Sequence, residues 1–155
     1  MVEIIETYID KELNSEIKNY VYKNKHKWKM NLNNVKALTS GFNPNYKFFN
    51  KLYSFSYKIL KKSKGINYKK SWWWVNFYKK NNKCISHNHI PEDMSAILII
   101  KSSSENPLYF LHGNTKIKVL EKDGMLLFFN SRLTHGVKKC KDERITCALD
   151  FKKIQ

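Results

Sequence analysis

The sequence predicts a small β-sandwich or barrel with two helices packed on its outside. Three observations point there. Apolar residues in the first 65 positions recur at spacings of three and four in two separate stretches. Beyond Gly65 the apolar spacing becomes strand-like. The later chain also breaks into about seven short runs bounded by turn residues. Helices first and a succession of short strands afterwards imply strands closing on themselves with the helices outside.

Residues 2–7 (Val-Glu-Ile-Ile-Glu-Thr) read as a short strand. Residues 8–25 read as a helix, with Ile9, Leu13, Ile17, Tyr20 and Val21 on one stripe. From Asn31 to Pro44 the chain is loop-rich, with Asn33-Asn34 and Ser40-Gly41 as turn signals. A second helix is predicted over 45–63, where Phe48, Leu52, Phe55, Ile59 and Leu60 share a face and Gly65 ends the pattern. Trp72 to Tyr78 is aromatic and β-branched, as strands prefer. Further strands are predicted over 94–101, 107–111, 115–120, 124–130 and 144–152, separated by signals such as Gly113-Asn114 and Asp123-Gly124. No repeat or linker divides the chain. The expectation is one domain over 1–155, a helical part (1–70) packing on a β core (71–155) that carries the functional site.

Hydrophobic content of 42% and aromatic content of 14% exclude a disordered chain. No run approaches the roughly 20 apolar residues of a membrane span. The acidic start, Met1-Val2-Glu3-Ile4-Ile5-Glu6, has no signal-peptide core, and three cysteines (Cys84, Cys140, Cys147) form no disulfide framework. A cytoplasmic setting is therefore expected. Net charge is +16, of which residues 1–80 carry +12 and residues 81–155 carry +4. Such a surface attracts polyanions, so nucleic acid is a candidate partner. Only two of the 29 basic residues are Arg, so the excess equally reads as compositional drift toward Lys and Asn.

The chemistry concentrates between His87 and Arg144. His87 and His89 stand at i and i+2, which on an extended chain places both side chains on one side. His135 follows the apolar run Gly124–Phe129 and a turn. Neutral imidazole is a good ligand for divalent iron, zinc or copper. Two ligands from one strand and a third from a distant one is how a β-barrel builds a mononuclear metal site. The letters His87-Asn88-His89 do not make a nuclease motif of the same spelling, which spreads its residues over a helix-containing finger. Arg144 opens the last strand. In a lysine-rich chain an arginine suggests planar, bidentate recognition of a carboxylate. The plain alternative is a surface ion pair with Asp142 or Glu143.

These residues carry a resemblance. Trp74-Val75-Asn76, His87-Asn88-His89, Ser95-Ala96-Ile97, Gly124-Met125-Leu126-Leu127-Phe128-Phe129, His135-Gly136-Val137 and Arg144-Ile145-Thr146 follow one another in the order of motifs in 2-oxoglutarate/Fe(II)-dependent oxygenases. The stretch 72–152 resembles in particular the branch related to prolyl hydroxylases. The resemblance implies a double-stranded β-helix of the jelly-roll or cupin type, with Fe(II) at its open end and 2-oxoglutarate chelating the iron. Arg144 would receive the distal carboxylate, while Phe129, Tyr109 and Trp74 would line the pocket. The implied activity is dioxygenase hydroxylation of an unidentified substrate, with 2-oxoglutarate and O2 as co-substrates.

One position departs from the family. Its metal triad is His-x-Asp or His-x-Glu and a distal His, whereas this chain has His89 at i+2. The ligands are then either His87, His89 and His135, or two histidines with Asp93 or Glu92. Three neutral ligands resemble thiol dioxygenases and other cupins, which do not use 2-oxoglutarate. A three-histidine metal protein and a basic nucleic-acid-binding module therefore stand beside the dioxygenase reading.

Overall fold

Two antiparallel sheets face each other, and the helices cover the outer face of the larger one. The computed structural model describes residues 2–31 and 33–155; Met1 and Leu32, both within the expected domain, lie outside the described residues. The chain runs β1 (Ile4–Tyr8), α1 (Lys11–Asn24), β2 (Lys29–Met30), β3 (Val35–Lys36), β4 (Leu38–Thr39), α2 (Lys47–Lys64), β5 (Tyr68–Tyr78), β6 (Lys83–His87), β7 (Met94–Lys101), β8 (Leu108–His112), β9 (Thr115–Lys118), β10 (Met125–Asn130), β11 (His135–Val137) and β12 (Arg144–Lys153). The larger sheet has the order β1-β10-β7-β12-β5-β4-β2, and the smaller β3-β6-β11-β8-β9.

The helices follow from local signals. Asp10 caps α1, its Oδ1 accepting from Leu13 N at 2.8 Å. Gly65 closes α2 at φ 68°, a left-handed position that costs glycine little. Ile17, Val21, Phe48, Leu52 and Leu60 are buried against the large sheet.

The central strands are buried on both faces, so they read as continuous apolar runs. Alternation still sorts their side chains. Ala96, Leu98 and Ile100 of β7 turn to the helices, while Ile97 and Ile99 turn between the sheets. In β10 Leu126 and Phe128 face the helices, and Met125, Leu127 and Phe129 face inward. In β12 Ile145, Cys147, Leu149 and Phe151 pack under the helices. The intervening Arg144, Thr146, Ala148 and Asp150 therefore point between the sheets, where the site lies.

The structure differs from the sequence reading in the short and polar strands. β2, β3, β4, β6 and β11 have two to five residues each, too few for a periodic signal. β5 begins at Tyr68 rather than Trp72, because Lys69 and Lys70 pair with Lys152 and Phe151 at the solvated end of β12. The N-terminal part is not only helical: β1 adds to the large sheet and β3 to the small one. Cys84, Cys140 and Cys147 are free and buried. No helix among the described residues is long and apolar enough to cross a membrane.

Candidate metal centre

Strand pairing brings the three histidines together. β11 pairs antiparallel with β6, and His135 and His87 are direct register partners. His87 ends β6, and His89 lies just beyond it, so the i, i+2 pair straddles a strand end instead of sharing one strand. The His89 backbone N–H donates to Ser131 O at 2.8 Å, which ties this segment to the turn before His135. One ring nitrogen from each histidine lies within 4.8 Å of the other two, and His87 Nε2 is 3.2 Å from His89 Nε2.

The opposite ring nitrogens are all committed. His87 Nδ1 lies 2.8 Å from Ile85 O, His135 Nδ1 3.2 Å from Leu133 O, and His89 Nδ1 2.7 Å from Asp150 Oδ1. Carbonyl and carboxylate oxygens only accept, so each Nδ1 carries a proton, which leaves Nε2 as the ring nitrogen available to a metal. Burial, and then the neighbouring imidazoles, push His135 well below the usual histidine range. Burial also lowers His87. Nitrogens 3.2 Å apart are bridged by a proton or by a metal ion, and a metal ion draws in the third histidine as well. The donor set thus fits a divalent transition metal held by three imidazoles.

Asp150 is the residue the sequence reading missed here. It is buried, orients His89, and accepts from Ser95 Oγ at 2.6 Å; Ser95 Oγ is 2.8 Å from Ser131 Oγ. A carboxylate behind a ligating histidine fixes the ring and raises its basicity. Stepping by two along β12 from Arg144 reaches Asp150, so inner-face alternation was the available signal. Asp93 and Glu92, the alternative ligands, are not grouped with the three histidine nitrogens, although Glu92 lines the same groove as His87 and His89. Asp93 Oδ2 accepts from Lys153 N at 2.8 Å, and Glu92 Oε1 is 3.8 Å from Lys152 Nζ.

Two spaces adjoin the histidines. A groove of about 390 Å³ is walled by Asn31, Thr39, Phe42, Trp72 and Trp74, with His87, His89 and Asp150 along it. Phe42 makes edge contacts with Trp72 and Trp74 at centroid distances of 5.5 and 5.3 Å. Behind lies a cavity of about 30 Å³ touched by all three histidines, Trp74, Asn76, Arg144 and Thr146. The Trp74 ring lies tilted at 5.5 Å from His89, and Phe129 packs edge-on at 5.0 Å against His135. Tyr109 is placed otherwise than expected. Its neighbours Leu108 and Phe110 face inward, so its ring lies on the outer face of β8, with the hydroxyl 2.7 Å from Ser86 Oγ.

Arg144 reaches the small cavity, but it is neither a surface residue nor a free one. Its side chain is 1% exposed and that of Glu121 is 0% exposed. Arg144 Nε donates to Glu121 Oε1 and Oε2 at 3.1 and 3.0 Å, and Nη2 lies 2.9 Å from Oε1. Burial pulls the guanidinium pKa down, but Glu121, helped by Tyr78 and Cys140, more than offsets this and holds it above the ordinary value. Asp142 and Glu143, the alternative partners, bind Ser103 and Ser104, and Tyr22 and Lys101, instead. β11 and β12 also lie in different sheets, so Arg144 faces His135 across the sandwich rather than from an adjacent strand. A cavity of about 30 Å³ holds about one water. The residues present therefore fit a metal; they do not fit a five-carbon dicarboxylate seated on Arg144.

No protein-family model and no curated protein matches the sequence. Solved structures do match its shape. A prolyl-4-hydroxylase of Pseudomonas putida aligns with a TM-score of 0.80 at 11% identity, over 100% of this chain and 95% of that one. A prolyl hydroxylase of Trichoplax adhaerens, in complex with a hypoxia-inducible-factor peptide, gives 0.79 at 14% identity over 97% and 82%. The viral collagen prolyl hydroxylase of Paramecium bursaria Chlorella virus-1, in complex with 2-oxoglutarate, gives 0.71 at 17% identity over 98% and 96%. The chain has the fold of the 2-oxoglutarate/Fe(II) oxygenases, a double-stranded β-helix with its N-terminal helices packed outside.

Proposed function

We propose that this chain is a non-haem iron oxidoreductase of a single domain, with His87, His89 and His135 as the metal ligands. The observation that carries this reading is the convergence of three inward-facing imidazole nitrogens, each ring fixed by an acceptor behind it. Bound iron supplies the activation of dioxygen and the redox steps of substrate oxidation. The protein supplies position and dryness. Asp150 holds His89 in the ligating tautomer, Phe129 and Trp74 shield the rings from water, and the groove walled by Phe42 and Trp72 brings the substrate to the histidines.

A second reading adds 2-oxoglutarate as co-substrate, which makes the chain a 2-oxoglutarate-dependent hydroxylase. It is favoured by the fold and by Arg144, nine residues after His135 and on the wall of the cavity the histidines touch. It requires Glu121 to leave Arg144. Binding of nucleic acid rests on net charge alone.

Anaerobic titration with Fe(II) tests the first reading: one equivalent binds the wild type, and His89→Ala loses it while Asp93→Asn and Glu92→Gln keep it. Normal binding in all three variants places the metal elsewhere. Adding 2-oxoglutarate to the iron-loaded protein produces a weak visible charge-transfer band only under the second reading.

A further inference from the structure

We infer that Glu121 determines which co-ligand the metal centre accepts: it serves Arg144 as a resident carboxylate, closes the cavity to dicarboxylates, and leaves room for a water-sized ligand. The inference takes the three-histidine reading as its starting point. Its core is the occupied guanidinium.

A guanidinium recognises a carboxylate by presenting donors that match two oxygens. Glu121 already engages both of its oxygens with Arg144 Nε, and one of them also accepts from Leu108 N at 3.1 Å. Glu121 is fixed at its backbone too, its N–H donating to Asn106 Oδ1 at 2.7 Å. This carboxylate is built in, not a surface side chain that has swung inward. The pair is electrically balanced and dry. A second carboxylate pressed against it would leave a net negative charge in a low-dielectric interior, a costly arrangement.

Space and polarity agree. The cavity of about 30 Å³ is bounded by Ile97, Leu108 and Val137 as well as the histidines. Asn76 Oδ1 lacks a hydrogen-bond partner among the described residues, and Arg144 Nη2, although 2.9 Å from Glu121 Oε1, makes no aligned hydrogen bond with it. One acceptor and one donor in a space of that size suit a single water or a comparably small polar ligand beside the metal. They do not suit an extended diacid.

The experiment is calorimetric titration of 2-oxoglutarate and of acetate into Mn(II)-loaded and metal-free protein, with metal content measured by elemental analysis on the same samples. Wild type shows no saturable 2-oxoglutarate binding. Glu121→Ala, which vacates the fork, binds acetate or 2-oxoglutarate at least tenfold more tightly than wild type, and adding Arg144→Met abolishes the gain. Glu121→Gln, which still accepts from Leu108 N–H, serves where the alanine variant does not fold. Saturable 2-oxoglutarate binding to wild type overturns the inference. So does a folded Glu121 variant, with Arg144 intact, that binds no carboxylate. Failure of the three-histidine reading would show separately, as missing metal in the elemental analysis.

Discussion

Two buried carboxylates stand behind residues that line the same cavity, Asp150 behind His89 and Glu121 behind Arg144, and they do opposite things. Asp150 accepts a hydrogen bond from Nδ1–H of His89 and so leaves the other ring nitrogen aimed inward toward the metal position. Glu121 accepts from Nε–H of Arg144 and lies 2.9 Å from Nη2, and so neutralises the charge that would have greeted a ligand. Both are engaged, as buried charges must be: Glu121 through both oxygens and Asp150 through Oδ1. Burial and pairing therefore do not distinguish a site that is ready from one that is closed. What decides is whether the partner binds the back of the functional group or its working face.

The sharpest break in this comparison comes from the ligands themselves. His135→Ala removes most bound metal while the fold survives, because the space it opens lies between the sheets, apart from the core beneath the helices. Elemental analysis of purified variant and wild type reads the loss, and full occupancy in the variant would disprove the ligand assignment.

On the other side, Arg144→Ala strands Glu121 as an unpaired buried charge and costs roughly 3–5 kcal/mol of stability. Replacing the pair together, Arg144→Met with Glu121→Leu, recovers most of that, since a buried ion pair is rarely worth more than apolar residues of similar volume. Denaturant unfolding of wild type, single and double variants measures it. Equal stability of the single variant and wild type would mean that the pair is hydrated in solution.

Asp150→Asn is expected to be milder. An amide oxygen still accepts from His89 Nδ1–H but no longer raises the basicity of the ring. Metal affinity should fall toward the lower end of roughly 10–100-fold, with little change in unfolding. Competition against a chromogenic chelator measures this. An affinity unchanged within error would reduce Asp150 to a structural hydrogen-bond partner of Ser95.

The same contrast explains what was legible in the sequence. His87, His89 and His135 stand out because an unusual residue recurs at a telling spacing, and Arg144 because arginine is rare in this chain. The long strands β7, β10 and β12 were visible as apolar runs, and the helices by their stripes. Glu121 was not legible, since nothing local distinguishes it from the solvated acids Asp123 and Glu143. Its role comes from the segment between β9 and β10 folding over the sandwich opposite β12. Tyr109 was misplaced for a related reason: an aromatic residue in a strand can face either side, and only the register of Leu108 and Phe110 decides.

The smallest expected effect concerns pH, and it sharpens the difference between histidine and arginine as buried bases. His135 and His87 have lowered pKa values in the folded chain, first because burial disfavours their charged forms. In the unfolded chain both return to about 6.5. As pH falls through that value, the unfolded state takes up protons that the folded state still refuses. Metal-free protein therefore loses stability on acidification, by at most about 1.4 kcal/mol per pH unit for each histidine, until the folded pKa is reached and the loss levels off. Arg144, charged in both states, contributes nothing over this window. Thermal unfolding of metal-free protein between pH 7.5 and 5 should show the decline. His135→Phe keeps the bulk, removes one titrating group and should flatten the curve. Metal should steepen it, because protons compete with the ion for the same nitrogens. A pH profile unchanged by His135→Phe would mean that His135 is as freely protonated in the folded chain as in the unfolded one, and the dry, Nε2-inward arrangement of the centre would have to be abandoned.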